Sequence, residues 1–308
     1  MARCLVIGGN GFLGSYLVDE LAGRGHDVTV FDRFSSPQAR WESSGVSTIA
    51  GDFMQSAALR AAVEGQQHVF HFLSSTTPAS ADHDPGADMR TNVAQSIELF
   101  DAAASAGVQR VYFASTGGAM YGHQADERVS ELTLPQPVSP YAIGKQAIEG
   151  YLRFFAHTHG LDSVAFRISN PYGPRQQSHR SQGVIPIFLH RIAEGLPVQV
   201  FGDGSMVRDY IFATDSVRMI ADAIERPALQ PVYNIGSGVG TSVTELVELA
   251  REITGQPVEV EARPKLATAV DTVVLDTARY EGDFGPQRFL SLREGMQRTW
   301  DGIREGGE

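Results

Sequence analysis

Lysine is nearly absent from this chain, and cysteine is rarer still. Arginine occurs 23 times, whereas the only lysines are Lys145 and Lys265. Because arginine does not give up its proton and is bulkier, a retained lysine suggests a task that needs a compact amine able to titrate. The single cysteine, Cys4, excludes an intrachain disulfide, and its position in an apolar run predicts a small buried side chain.

Positive charge is also scarce, and the formal net charge is -11. Nucleic acids and anionic membranes attract basic surfaces, so neither is an expected partner. No apolar run reaches transmembrane length, and no signal-peptide pattern precedes the first predicted strand, so we expect a cytoplasmic protein. A phosphate ligand would need a local site of backbone amides and arginines.

A glycine-rich turn follows the first apolar run. Gly8, Gly11 and Gly14 lie between the run Cys4–Ile7 and a helical pattern, and a second β-type run ends at Asp32. This is a βαβ unit, whose glycines allow a tight turn and close approach of a pyrophosphate to the helix N-terminus. Asp32 would bind the ribose hydroxyls of adenosine and repel a 2′-phosphate, which favours NAD over NADP. For the glycines alone, a turn without a ligand is the competing interpretation.

Strand and helix patterns keep alternating as far as residue 168. Strands are predicted over 48–50, 68–73, 110–115 and 164–168, and a helix over 91–106. Polar residues follow two of these strands, at the end of an open parallel sheet where ligands bind. Asp52 follows the strand 48–50, where it would either reach the adenine or cap a helix. His71 is interpreted as a core histidine.

The alternation predicts an α/β fold, a doubly wound parallel Rossmann sheet with a smaller C-terminal substrate-binding lobe. We expect an NAD-binding domain over residues 1–168, rejoined by about 206–236, and a lobe formed mainly by 169–308. The lobe is expected to begin with a stiff loop, Asn170–Arg175. Further predicted elements are helices over 184–194 and 243–254, a short strand over 198–201 and a late strand over 232–235.

Tyr141 and Lys145 are four residues apart, which places both on one face of a helix. An ammonium beside a phenol favours the phenolate, so this pair predicts a general base with a lowered pKa. Taken alone, a chance pair on a solvated helix face is the simpler interpretation. The same helix carries an apolar stripe that must be buried on the sheet or on a partner helix, formed by Ile148, Tyr151, Leu152 and Phe155.

Several short motifs occur in a fixed order along nearly the whole chain. They are Gly8-x-x-Gly11-x-x-Gly14, Asp32, Gly51-Asp52, His71-Phe72-Leu73, Thr91-Asn92-Val93, Ser115 to Gly122, Tyr141-x-x-x-Lys145, Asn170-Pro171-Tyr172-Gly173, Gly202-Asp203-Gly204 and Arg208-Asp209-Tyr210. Together they resemble the extended short-chain dehydrogenase/reductases. Within that family the chain is most similar to the nucleotide-sugar (UDP-hexose) 4-epimerases of bacterial surface-polysaccharide pathways.

The resemblance implies catalytic roles. Tyr141 would remove the proton of the sugar 4-hydroxyl, while Lys145 would bind the nicotinamide ribose and hold the tyrosine pKa down. A Ser or Thr hydroxyl would bind the 4-oxygen. The family's position for that hydroxyl falls on Gly117, so we choose Thr116, with Ser115 as the alternative. The glycines after Thr116 replace the Asp-Glu pair typical of 4,6-dehydratases.

The resemblance also implies NAD as the cofactor, a UDP-sugar as the substrate and no metal site. The cofactor contacts would be Gly8, Gly11, Phe12, Leu13, Asp32, Asp52, Phe53, Leu73, Asn92, Tyr141 and Lys145. The substrate contacts would be Thr76, Asn170, Val184, Arg208 and, as a weaker candidate, Arg263. Two of these have structural alternatives: Asn170 would only shape the turn before Pro171, and Arg208 would only pair with Asp209 or another local acid.

The implied activity is NAD-dependent epimerisation at C4 of a UDP-sugar through a transient 4-keto intermediate. The sugar would be glucose or galactose, or an N-acetyl form, and segments 74–80, 170–185 and 262–272 would set the choice. The alternatives are another 4-keto-sugar-forming enzyme, a dehydratase or a decarboxylase, and a catalytically inactive NAD-binding regulator. A homodimer is expected through the Tyr141 helix and the 91–106 helix.

Overall fold

The computed structural model describes residues 1–35, 39–76, 81–82, 84–124, 127–176, 183–226, 228–265 and 270–305. The chain divides into two compact units. Unit 1 comprises Met1–Thr116, Pro137–Arg167 and Val217–Tyr233, and unit 2 comprises Gly117–Gln136, Ile168–Ser216 and Asn234–Glu308. The segment that rejoins unit 1, Val217–Tyr233, is therefore shorter than the expected 206–236. Residues 117–136, which were expected in the NAD-binding domain, belong to unit 2. That unit 1 binds the cofactor and unit 2 the substrate stays a prediction. Residues 77–80, 177–182 and 266–269 of the expected specificity segments lie outside the described residues.

The described chain contains the following strands and helices, each numbered in chain order. The strands are β1 (Arg3–Ile7), β2 (Asp27–Asp32), β3 (Ser47–Ala50), β4 (His68–His71), β5 (Arg110–Thr116), β6 (Asp162–Ile168), β7 (Asn170–Tyr172), β8 (Val198–Phe201), β9 (Val207–Phe212), β10 (Val232–Ile235), β11 (Gly240–Ser242), β12 (Val260–Arg263) and β13 (Thr272–Val273). The helices are α1 (Phe12–Gly23), α2 (Ser56–Val63), α3 (Pro85–Asp88), a π-helical turn (Met89–Val93), α4 (Ala94–Ser105), α5 (Pro140–His159), α6 (Val184–Ala193), α7 (Ala213–Glu225), α8 (Val243–Thr254), α9 (Ala278–Phe284) and α10 (Leu292–Arg304).

A seven-stranded sheet has the order β10-β6-β5-β4-β1-β2-β3, and β1 pairs in parallel with both β2 and β4. The predicted α/β Rossmann fold is confirmed. The strand order reverses at β1, because the chain builds β2 and β3 on one side and then crosses to β4 on the other. Ligands of open α/β sheets bind at the carboxyl ends of strands beside such a switch point. Strand β1 is buried from Cys4 to Ile7, as expected for a strand covered on both faces.

Helix α5 begins and ends where its sequence predicts. The Ser139 hydroxyl accepts a hydrogen bond from Ala142 N, Pro140 fits the first turn, and Gly160 ends the helix at φ +66°. Three residues of the expected apolar stripe lie in the core of unit 1, namely Ile148, Leu152 and Phe155. Tyr151 does not, because it is 39% exposed.

Unit 2 contains strands that the sequence did not predict. Strand β9 lies between β11 and β13 and also pairs with β7, so Asn170–Tyr172 is a strand and the expected stiff loop is wrong. The charged pair Arg208-Asp209 near the start of β9 interrupts the apolar pattern from which a strand would be predicted. The structure satisfies the fully buried Asp209, whose carboxylate accepts hydrogen bonds from the backbone N–H groups of Ser237, Gly238 and Leu275. Helix α7 was also missed.

Two buried titratable side chains are where the sequence placed them. Cys4 is fully buried, and burial raises the pKa of its thiol to about 12. His71 lies among aromatic rings, and burial lowers its pKa to about 3. Its Nε2 lies 2.8 Å from Ser96 Oγ, which fits a core histidine. None of the helices that the structure describes is both long enough and apolar enough to span a membrane.

Candidate active site

The glycine turn has the geometry of a dinucleotide cradle. Gly8 has a φ of +83°, and a side chain there would collide with the backbone of Leu73 at 2.8 Å. A side chain at Gly14 would overlap the carbonyl oxygen of Gly8, so α1 packs directly on the turn. Gly11 precedes α1 and offers no side-chain cap, which leaves the first amides of the helix, those of Phe12 and Leu13 among them, free for an anion. These residues fit the pyrophosphate of NAD.

Asp32 ends β2 beside this turn. Its carboxylate accepts hydrogen bonds from Asn10 N at 3.0 Å and from Arg33 N at 2.7 Å. Asp52 accepts one from Met54 N at 2.9 Å, while the residue that precedes α2 is Gln55, so Asp52 does not cap that helix. The Phe53 side chain lies in the core. Asp32 and Asp52 are thus partly exposed to solvent, whereas Phe53, another predicted cofactor contact, is buried.

Asn92 connects the loop after β4 to the π-helical turn. Its amide oxygen accepts from Ser75 N at 2.9 Å and from Ser75 Oγ at 3.0 Å. Its amide nitrogen donates at 2.8 Å to both Thr76 Oγ1 and Asp88 Oδ1. The Thr76 hydroxyl in turn donates to Asp88 Oδ1. Thr76, a predicted substrate contact, is thus held within a partly buried polar cluster of unit 1.

Tyr141 and Lys145 lie on one face of α5, as the spacing predicts. Lys145 is buried, and its Nζ donates a 2.8 Å hydrogen bond to Ala114 O near the carboxyl end of β5. The same nitrogen lies 5.7 Å from the Tyr141 ring centroid and 4.7 Å from that of Phe113. The pair is therefore a fixed arrangement in unit 1, not a chance pair on a solvated face.

The expected pKa of Tyr141 is wrong for the protein alone. Burial, together with the negative charge of Asp88, raises the pKa of the phenol to about 12 instead of lowering it. Burial also lowers the pKa of Lys145 to about 8, against the opposing charges of Asp88 and Glu149. A lysine that is itself desolvated does not outweigh the desolvation of its neighbour.

The two candidate hydroxyls differ in their bonding. The Ser115 hydroxyl donates a 2.6 Å hydrogen bond to Glu149 Oε1, inside the core. Glu149 also forms a buried ion pair with Arg167, with contacts of 2.8 and 3.1 Å. No hydrogen bond holds the Thr116 hydroxyl within the part of the chain that the structure describes.

Two predicted substrate contacts lie on paired strands of unit 2. Asn170 on β7 donates from Nδ2 to Asp209 O at 3.0 Å, so it lies beside Arg208 on the neighbouring strand. Its amide also lies about 3.5 Å from the position of a side chain at Gly118. The Arg208 guanidinium donates to carbonyl oxygens, including Val270 O at 2.6 Å, and forms no ion pair among the described residues. Its charge is therefore available to an anion, and the alternative interpretation, an ion pair with Asp209 or another local acid, is not seen among the described residues.

The other two substrate candidates are less persuasive. Val184 is the first residue of α6. Arg263 lies on β12, is largely exposed and pairs with Glu261 at 2.9 Å. The described residues also contain no group of three His, Cys, Asp or Glu side chains placed to hold a metal ion.

Sequence reasoning missed the charged residues that surround the tyrosine and lysine. Asp88 and Glu149 are both buried, and each acts on the charge of Lys145. Glu149 follows Lys145 by one helical turn, a spacing visible in the sequence. Asp88 precedes Asn92 by the same spacing, but its proximity to α5 depends on the fold. Neither carried a recognisable motif of its own.

Comparisons with known proteins agree with this geometry. Residues 4–236 match the NAD dependent epimerase/dehydratase family. A UDP-glucose 4-epimerase of Mycolicibacterium smegmatis is 34% identical, with 98% of each chain covered. The structure of a UDP-glucose 4-epimerase from Thermotoga maritima with UDP-glucose is similar at a TM-score of 0.93 and 35% identity, covering 99% of this chain and 100% of that one. A UDP-glucose 4-epimerase of Thermus thermophilus in complex with NAD gives a TM-score of 0.91 at 32% identity, with 99% and 100% covered. The resemblance seen in the sequence is confirmed, and the chain belongs to the NAD dependent epimerase/dehydratase family.

Proposed function

We propose that this chain epimerises a UDP-sugar at C4, with glucose and galactose or their N-acetyl forms as the sugars. The observation that carries this proposal is the Tyr141–Lys145 arrangement in unit 1. The lysine amine is anchored to Ala114 O near the carboxyl end of β5. That is the edge of the sheet at which the glycine turn follows β1. An acid–base pair therefore lies at the same edge of the sheet as a cradle that fits NAD. As the sequence suggests, we also expect the protein to act in the cytoplasm.

Three candidate residues of unit 1 have separate tasks in the proposed reaction. When bound, NAD supplies a hydride acceptor for sugar C4, returns the hydride to the other face of the 4-keto sugar, and adds a positive charge that favours the Tyr141 phenolate. Tyr141 takes the proton of the 4-hydroxyl and gives it back. Lys145 binds the nicotinamide ribose and its charge supports the phenolate. The Thr116 hydroxyl, unlike that of Ser115, is free to bond the 4-oxygen.

Unit 2 would hold the diphosphate. The Arg208 guanidinium is fixed by the carbonyl groups of Val207 and Val270, yet it forms no ion pair with a carboxylate among the described residues. A preoriented guanidinium forms strong charge-assisted hydrogen bonds to phosphate oxygens. Asn170, hydrogen-bonded to the backbone of the same strand, would add a neutral donor. Arg263 is a weaker candidate, because it already pairs with Glu261.

Two alternatives are less well supported. A dehydratase needs acids for the chemistry at C5 and C6, but Thr116 is followed by Gly117 and Gly118. An inactive NAD-binding regulator would not need a buried lysine anchored beside a tyrosine. A buried amine without an ion pair is costly to keep in a folded protein, which favours a catalytic use.

The test is turnover by the purified protein without added NAD. UDP-glucose and UDP-N-acetylglucosamine are incubated separately, and the C4 epimers are resolved by chromatography and proton NMR. Interconversion supports the proposal, because the cofactor must stay bound and be regenerated in each turnover. Loss of water would support a dehydratase, and release of carbon dioxide from UDP-glucuronic acid, assayed in parallel, would support a decarboxylase. Bound NAD with no turnover of any UDP- or dTDP-sugar would support the regulator.

We also propose a homodimer formed through α5. Three apolar side chains on this helix are exposed, Ile143 by 48%, Tyr151 by 39% and Phe154 by 50%. They recur at helical spacing and form a face opposite to the buried Ile148 and Leu152. An exposed apolar helix face is typical of a protein–protein interface. The stripe that suggested the dimer in the sequence is itself mostly core, so the interface would use this other face.

A further inference from the structure

A buried carboxylate lies beside the proposed catalytic pair without an assigned role. Asp88 is 2% exposed and ends the short helix α3. Its Oδ1 accepts hydrogen bonds from the Thr76 hydroxyl and from Asn92 Nδ2. No cation pairs directly with it among the described residues. A buried charge held by neutral donors alone is expensive, so it needs a reason to be there.

The other oxygen of Asp88 lies against α5. A side chain at Gly144 would overlap Asp88 Oδ2, and Gly144 immediately precedes Lys145. Gly144 has an ordinary helical conformation, so a left-handed backbone does not explain the glycine. A glycine inside a helix costs about 1 kcal/mol relative to alanine. The space that it leaves is the space in which the carboxylate sits.

The charge of Asp88 reaches both members of the pair. It opposes the effect of burial on Lys145 and adds to the effect of burial on Tyr141. The other charged or titratable groups around Lys145 are Glu149, which is paired with Arg167, and His71, whose burial keeps it neutral. Asp88 is therefore the nearby charge that is not already balanced by an ion pair.

We propose that Asp88 is a positioning residue, which ties the Thr76 and Asn92 side chains to α5 and sets the charge environment of Tyr141 and Lys145, and that Gly144 is present to admit its carboxylate. The role in the reaction rests on the proposed function. Asp88 keeps the lysine protonated, and it favours the protonated phenol until the substrate is in place. Both effects require a charge, not only a hydrogen-bond acceptor.

The variant Asp88→Asn, in the NAD-loaded enzyme, separates charge from shape. An asparagine oxygen can still accept from Thr76 and Asn92, but the charge is gone. The acidic limb of the kcat/KM pH profile reports loss of the phenol proton, and the alkaline limb reports loss of the lysine proton. Both limbs should move to lower pH, by roughly half a pH unit or more. A lower profile with unmoved limbs would mean a structural role only and would overturn the proposal. Asp84→Asn is the matched control. It removes an exposed carboxylate at the start of α3, the helix that Asp88 ends, and should leave both limbs in place.

A readout independent of turnover keeps this test separate from that of the proposed function. Tyrosinate absorbance is titrated in the wild-type protein, with Tyr141→Phe as the blank, and again in the Asp88→Asn background. The Tyr141 transition should move to lower pH when the charge is removed. If no UDP-sugar is turned over but the transition moves, the proposed function fails and the placement of Asp88 stands. An unmoved transition overturns the placement, whatever the activity.

Gly144 supplies the test of geometry. Gly144→Ala alone should lower the melting temperature, because the methyl group and the carboxylate compete for one space. In Asp88→Ala that space is vacant, so adding Gly144→Ala should cost little, and the melting temperatures should be clearly non-additive. Additive changes would show that the two residues do not interact, and would overturn the proposal.

Discussion

The Ser115 hydroxyl donates a 2.6 Å hydrogen bond to Glu149, a carboxylate buried on α5. Glu149 needs this bond, since its remaining partner is the buried Arg167 guanidinium. Ser115 is thus bound to a structural ion pair, whereas its neighbour Thr116 ends β5 with a hydroxyl that no described group engages. The two hydroxyls, adjacent in sequence, are expected to have different tasks.

Exchanging each hydroxyl separately tests this difference. Thr116→Val should lower kcat by one to three orders of magnitude, about the effect of losing one transition-state hydrogen bond, with the melting temperature nearly unchanged. Ser115→Ala should instead destabilise the fold by about 1–3 kcal/mol, since it removes one donor from a buried carboxylate, and should leave kcat within a few-fold. Steady-state kinetics and thermal unfolding of both variants provide the comparison. A reversed pattern would assign catalysis to Ser115.

The Tyr141 hydroxyl is expected to be indispensable. Tyr141→Phe removes the proton acceptor but keeps the ring near Lys145, so turnover should fall by at least about a thousandfold while bound NAD is retained. NAD content is measured by absorbance after the protein is unfolded. Tyr151→Phe on the exposed face of the same helix is the matched control and should keep full activity. Substantial activity in Tyr141→Phe would mean that another group is the base.

Features that depend on neighbouring residues could be predicted from the sequence, whereas features that depend on contacts between distant segments could not. The glycine turn, Asp32 and the Tyr141–Lys145 spacing were predictable, because each depends on a few consecutive residues and on one element of secondary structure. The strand pairing of β7 on β9 was not, since it joins Asn170 to Tyr210 through parallel hydrogen bonds. Asp88 was missed for the same reason. The pKa of Tyr141 could not be read from the spacing, because burial by the rest of unit 1 decides its direction.

Asp32 should determine the choice of dinucleotide. Its carboxylate faces the glycine turn, where it accepts from Asn10 N, and would repel a 2′-phosphate. Asp32→Ala is expected to lower the ratio of NAD to NADP affinity by about tenfold or more, the effect of one lost charged hydrogen bond. Affinities are measured by calorimetry on cofactor-free protein. Asp52→Ala is the control, because a contact of that carboxylate with the adenine would affect NAD and NADP alike and should leave the ratio unchanged. An unchanged ratio in Asp32→Ala would remove the carboxylate from the cofactor site.

His71 should make the protein sensitive to mild acid. Burial lowers its pKa to about 3, while an unfolded histidine has a pKa of about 6.5. Between these values the unfolded chain binds a proton that the folded chain excludes. The free energy of unfolding should therefore fall as pH falls below 6.5, by up to about 1.4 kcal/mol per pH unit from this group.

The variant His71→Phe checks this dependence. A phenylalanine fits among the surrounding rings of Phe53, Phe100 and Phe113 and cannot titrate. Urea unfolding between pH 4.5 and 7.5 should show a shallower loss of stability in the variant. His157→Gln, at an exposed position on α5, is the control and should follow the wild type. Parallel curves for His71→Phe and the wild type would contradict the expected role of His71.

The exposed face of α5 should decide the oligomeric state. Phe154 is half exposed and belongs to a face that, in a dimer, would pack against the same face of a second copy. Phe154→Glu would place an unpaired carboxylate in that interface, so the variant is expected to be monomeric at micromolar concentration, where the wild type is dimeric. Leu132→Glu removes a leucine that is 85% exposed on a loop of unit 2, and it should leave the dimer intact. Light scattering measures the mass of each protein. A monomeric wild type would exclude the proposed interface. A dimeric Phe154→Glu would show that the interface lies on another surface, because a buried charge of that kind outweighs the apolar contacts of a single helix face.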